Sequence, residues 1–175
     1  MIPIFDNAFS GINPDLFRLL SPELFSRKVL LLVRRDPRDQ FADLVRYSGS
    51  TYPWNVRSFI KQYRIAQYRT AQFLERMRDE PGTMVRLLGF EEFVLDSSGA
   101  RTALQADLRL FWEQDGFGPS GLWGQGAFHP EISAKNIGLW QESRHHGAMK
   151  LISRELREYL VPESERAVAS AISKG

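Results

Sequence analysis

Residues 28–39, Lys28-Val29-Leu30-Leu31-Leu32-Val33-Arg34-Arg35-Asp36-Pro37-Arg38-Asp39, constrain the fold of this chain more than any other stretch. The apolar and partly β-branched run Val29 to Val33, bounded by charge, is too short for a buried helix and suits a central parallel strand covered on both faces. Pro37 pre-sets a helical φ and biases Asp36 towards an extended backbone, so Asp36 is placed as an N-cap and Pro37 as the first residue of a helix reaching Tyr47. Such a strand delivers Arg34, Arg35 and Arg38 into the first turn of a helix, beside unpaired backbone N–H groups at the carboxyl edge of a sheet, where α/β folds bind ligands. A tetrahedral oxyanion, phosphate above all, matches the arginine fork. The same spacing also suits a self-contained turn in which Arg35 or Arg38 pairs with Asp36 or Asp39.

The rest of the chain fills out an α/β pattern with a small parallel sheet and flanking helices. Ser48-Gly49-Ser50 ends the first helix and Pro53 punctuates the loop after it. From Val56 to Met77 apolar residues mostly recur every three or four positions, with Arg57, Lys61, Arg64, Arg69 and Arg76 between them, which predicts one long amphipathic helix with a solvated basic face. Pro81-Gly82 breaks the chain ahead of a second strand, Thr83 to Leu88, that runs on into Gly89 to Leu95 with Glu91 and Glu92 at its end. Ser97-Ser98-Gly99 reads as a turn, and helical periodicity returns from Arg101 to Trp112. The glycine-rich segment Gly116 to Gly126 is placed to act as a lid. Helices are expected at Ala134 to Glu142 and Met149 to Tyr159, Pro162 stops the second, and residues 163–175 are expected to form a short fraying helix.

Composition narrows the possible functions. At 175 residues and 43% apolar content, one domain over residues 1–175 is expected. There is no cysteine, so disulfides, thiol nucleophiles and cysteine-ligated metals are excluded, and a cytoplasmic location is the expectation. A net charge of only +2 argues against a generic nucleic-acid binder, and no run approaches the ~20 apolar residues that span a bilayer. His145 and His146 are adjacent, so on a helix they point about 100° apart and make poor co-ligands for one metal. His129 and Trp140 read as loop and core residues, and Glu91 and Glu92 are better suited to orienting backbone than to acid–base work.

The run from Lys28 to Phe41 resembles the 3'-phosphate-binding motif of the PAPS-dependent sulfotransferases, a family with a P-loop-like α/β fold. The resemblance implies that Arg35, which opens Arg-Asp-Pro-Arg-Asp, contacts the 3'-phosphate of the donor nucleotide. The family commonly places a serine eight residues on, where this chain has Asp43. A carboxylate facing a phosphate is repulsive, so either Asp43 turns away or nucleotide affinity falls; Ser48 or Ser50 is a possible substitute. Two later segments resemble the family in the same order. Phe90-Glu91-Glu92-Phe93 is similar to a segment whose aromatic residue lies near the nucleotide, and Phe128 to Trp140 is similar to the segment that closes a basic loop over the 3'-phosphate. The second match makes Lys135 the implied cation, with Ser133 beside it.

The family's glycine- and serine-rich loop for the 5'-phosphosulfate normally lies many tens of residues before the Arg-Asp-Pro segment. Residues 1–27 contain no Gly-x-x-x-x-Gly-Lys or similar phosphate nest. The expectation is therefore a partial sulfotransferase fold, a truncated or diverged form, that grips PAPS by its 3'-phosphate, with no assignable catalytic residue and an unnamed hydroxyl or amine acceptor. The alternatives are a non-catalytic binding domain derived from that fold, with a partner chain or second copy covering an incomplete sheet, and a P-loop-like kinase fragment.

Overall fold

In a computed structural model the described residues are 23, 25, 27–48, 55–108 and 130–161. The architecture is mixed α/β and mostly helical, with a small two-stranded parallel sheet. In chain order the elements are β1 (Lys28–Arg34), α1 (Pro37–Ser48), α2 (Val56–Met77), β2 (Thr83–Gly89), α3 (Phe90–Leu95), α4 (Ser97–Leu108), α5 (Pro130–Ala134), α6 (Leu139–Glu142) and α7 (His146–Glu155), followed by a 3-10 turn, Arg157–Tyr159. The chain divides into two compact units, Met1–Leu32 with Arg57–Leu87 and Val33–Val56 with Leu88–Gly175. The glycine-rich segment, His129, Trp112, Trp123, Ser50 and residues 163–175 lie outside the described residues.

In the first unit α2 forms as its periodicity predicts. Phe59, Ile60, Tyr63, Phe73 and Met77 are its buried residues, and the five basic positions between them are exposed. Phe59 and Tyr63 meet with ring centroids 5.8 Å apart. Further along, Phe73 and Met77 pack with Leu30 of β1, and Leu32 and Val85 complete the cluster. The Lys28 N–H donates to the Gly82 carbonyl at 2.8 Å, and the positive φ of Gly82, 67°, permits the turn that enters β2. β1 is not covered on both faces as its composition predicts. Lys28 and Leu30 are buried, whereas Val29, Leu31 and Val33 are exposed, the alternation of a strand with one covered face.

In the second unit α1 packs on α6 and α7, and α3 packs on α4 and α5. Phe41, Val94, Leu104, Met149, Ile152 and Leu156 supply its buried apolar side chains. Three expectations are corrected here. Residues 90–95 are helix, not a continuation of strand: Glu91 and Glu92 fall in the first turn, where carboxylates complement the positive end of the peptide dipoles. Residues 97–99 open α4 and do not form a separate turn, because the exposed Asp96 side chain captures the Gly99 N–H at 3.1 Å and caps the helix. The expected helix from Ala134 to Glu142 is broken between α5 and α6 at Gly138, whose φ is 85°. Phe73, with no solvent exposure, gives a direct check on the first core: Phe73→Ala is expected to cost about 3–5 kcal/mol in urea denaturation, whereas Tyr68→Ala on the exposed face stays within about 0.5 kcal/mol.

Candidate functional site

The turn from β1 into α1 lies at the centre of a buried carboxylate network within the second unit. Asp36 and Asp39 are completely buried and Glu91 nearly so, with Arg38 the cation buried among them. Asp36 caps α1 as its position before Pro37 predicts: its Oδ1 accepts the Arg38 N–H at 2.9 Å, and its carbonyl accepts the Gln40 N–H at 3.0 Å. The Arg38 side chain then folds back, Nε donating to Asp36 Oδ1 at 3.0 Å and Nη2 to Oδ2 at 2.9 Å. Its guanidinium lies 4.3 Å from the centroid of the Trp140 ring. Arg38 is therefore a structural cation turned inward, not a donor offered to a ligand.

The two aspartates also hold segments distant in sequence. Asp36 Oδ2 accepts the Val161 N–H at 3.1 Å. Asp39 accepts from the Gly138 N–H at 2.9 Å and the Trp140 N–H at 3.1 Å, one on each oxygen. The left-handed Gly138 breaks the helix in a way that leaves both N–H groups facing one carboxylate. From α3, Glu91 Oε1 accepts the Asp36 N–H at 2.8 Å, so this acid orients backbone, as its place in the sequence suggests. The Arg38–Asp36 pair is the self-contained turn that the spacing also suits, whereas Asn136, Trp140 and Val161, the distant partners, are not legible in the sequence. The one signal for them is a pair of acids three residues apart on the first turn of a helix that must bury one face.

Arg35 takes a different course from Arg38. Nη1 donates to Asp43 Oδ2 at 2.7 Å and Nη2 to the Asn136 carbonyl at 2.7 Å, with the guanidinium carbon 5.1 Å from the Phe90 ring centroid. The turn thus brings Arg35, Asp43 and Phe90 together, three residues that the sequence picks out. Asp43 does not turn away from Arg35: the chain's own carboxylate pairs with it. The segment implied to close over a phosphate does reach Arg35, but through the backbone oxygen of Asn136. Ser133 is half-buried, and Lys135 is exposed just beyond α5. Asp43 Oδ1 is buried without a hydrogen-bond partner, so Asp43 is held by one oxygen where Asp36 and Asp39 are held by both. Among the described residues no group of three or more His, Asp or Glu is arranged to hold a metal ion, and no helix is long and apolar enough to cross a membrane.

Compared with protein-family models, curated proteins and solved structures, the chain shows no match to any of them.

Burial of Glu91 pushes its carboxyl above the ordinary value of 4.5; the Asp36 N–H and its own backbone oppose the shift, and the charges of Asp36 and Asp39 reinforce it. The folded chain thus holds this proton more tightly than the unfolded chain. Its contribution to stability is fully present below the ordinary value and is lost as pH rises through the elevated one. Glu91→Gln keeps an acceptor oxygen for the Asp36 N–H without the charge. Urea midpoints measured from about pH 4 to about pH 8 are expected to fall less steeply for this variant than for wild type. Asp36→Ala strands a buried guanidinium and two N–H groups, and an expected loss of about 3–5 kcal/mol in the same measurement separates it from Arg144→Ala at the surface.

Proposed function

We propose that this chain is a sulfotransferase-like domain whose Arg35 receives the 3'-phosphate of a PAPS-type nucleotide, with Asp43 occupying that position in the absence of nucleotide. The observation that carries the proposal is the Arg35–Asp43 pair: a guanidinium at the end of a strand, beside an aromatic ring, already bonded to an oxyanion at 2.7 Å. A phosphate offers the same acceptor geometry with more charge.

The fit is conditional. Arg35 supplies the fork and Phe90 an apolar side, but a phosphate brought to the pair as it stands would face the Asp43 carboxylate. Asp43 is the group able to yield, being 27% exposed and held through one oxygen. Lys135, exposed and just before Asn136, is within the segment where a second cation would act. PAPS would supply the activated sulfuryl group. Among the described residues, those named here anchor its far end alone, and anchoring binds ground state and transition state alike. No described residue is assigned to positioning an acceptor or neutralising the transferring group, so transfer by this chain alone is not part of the proposal.

The same ion pair favours a second reading, a non-catalytic interaction domain on this fold, in which the Arg35–Asp43 bond is permanent. The exposed row Val29, Leu31 and Val33 on β1 also fits that reading.

Calorimetric titration with 3'-phosphoadenosine 5'-phosphate separates the two. The wild-type chain is expected to bind weakly, Asp43→Ser about tenfold more tightly, and Arg35→Ala not at all. If wild type and Asp43→Ser both fold and neither binds, the nucleotide reading is lost and the interaction domain stands.

A further inference from the structure

We infer that an open cleft between α6 and α7 binds a small anionic ring compound, of which a uronic-acid sugar is the simplest representative. The site is separate from Arg35, and nothing in it depends on the nucleotide reading. Its volume is about 450 Å³, within the usual range for small-molecule sites.

The lining is uneven in a way that specifies its guest. Trp140 and Gln141 come from α6, and His146, Met149, Lys150 and Arg154 come from α7. Met149 is buried and Trp140 is half-buried, so these two supply the apolar part of the wall. Arg38 lies over the Trp140 ring, and the backbone N–H of Trp140 is fastened to Asp39, so the indole enters the cleft from a fixed position. A pre-positioned aromatic surface is suited to the C–H face of a ring, and an amide such as Gln141 offers both a donor and an acceptor to ring hydroxyls.

The positive charge of Lys150 and Arg154 lies along one edge, in a row on α7 that starts from the His146 imidazole, each four residues from the next. Among the described residues no acid lines the cleft. Lys150 has no ion pair among the described residues, and the exposed Arg154 is bonded to Glu155, its neighbour in sequence. Arg154 commits Nε and Nη2 to Glu155, so Lys150 is the cation that an anion at this edge meets first. A carboxylate or sulfate ester on a hydroxylated ring meets all three features at once: cations at the rim, an amide for hydroxyls and a fixed aromatic wall.

The test is an NMR titration of the full chain with glucuronate, with glucose and inorganic sulfate as comparison ligands. Glucuronate is expected to shift the Trp140 indole N–H and the Met149 methyl saturably, and glucose at the same concentration to leave both unmoved. Lys150→Ala, an exposed position whose fold is checked by circular dichroism, should raise the Kd about tenfold, and Arg154→Ala should raise it in the same direction. Arg35→Ala should leave glucuronate binding unchanged, which keeps this site distinct from the proposed nucleotide site. Equal binding of glucose would overturn the requirement for an anion. Sulfate binding as tightly as glucuronate, with the same shifts, would overturn the requirement for a ring. Unchanged affinity in both folded α7 variants, or loss of binding in Arg35→Ala, would overturn the assignment to this cleft.

Discussion

A carboxylate removed from water destabilises a fold unless donors surround it, and Asp36 is the place in this chain where that requirement organises its surroundings. Its side chain receives the N–H groups of Arg38 and Val161 and both arms of a bent-back guanidinium, while its own N–H is taken by Glu91. The positive end of α1 lies on the same group and offsets part of the cost. One residue, through its carboxylate and its own N–H, thereby joins the start of α1, the start of α3 and the end of the described C-terminal segment. Asp39 repeats the arrangement one turn on, holding the entry to α6.

That network fixes the course of the two arginines of the turn. Arg38 is satisfied inside it and stacked against Trp140, which removes it from any ligand chemistry. Arg35 sits where Asp36 and Glu91 have already set the backbone, and its guanidinium finds an acid that is bound on one side alone. A rigid scaffold beneath a less firmly held ion pair is a physically sensible place for an anion to exchange with a side chain, because the scaffold need not move when the pair opens. Trp140 links this network to the α6–α7 cleft, so the geometry of the cleft wall follows from the same buried charges.

Much of the fold was legible from local pattern. The α1 start followed from Asp36-Pro37, the whole of α2 from its period, and β1 and β2 from short apolar runs bounded by charge, a turn or a break. The misses share a cause. Residues 90–95 and 97–99 have little periodicity of their own, and their helices depend on where Glu91 and Asp96 find backbone donors. The break at Gly138 has no local necessity either, because it follows from a carboxylate 99 residues away in sequence. The covered faces of β1 were misjudged since an apolar run looks alike whether one side or both are packed.

By itself the sequence determined that a strand would hand Arg35 and Arg38 to the first turn of a helix, and that Asp36 would cap that helix ahead of Pro37. These are consequences of backbone stereochemistry over a few residues, and no distant partner is needed to enforce them. Tertiary structure alone decided which guanidinium is buried and which is held by Asp43, and that Asn136 reaches Arg35 through its carbonyl. Those choices turn on desolvation: a charge goes inward where enough donors and acceptors converge from far along the chain, and that convergence exists only once the chain has folded.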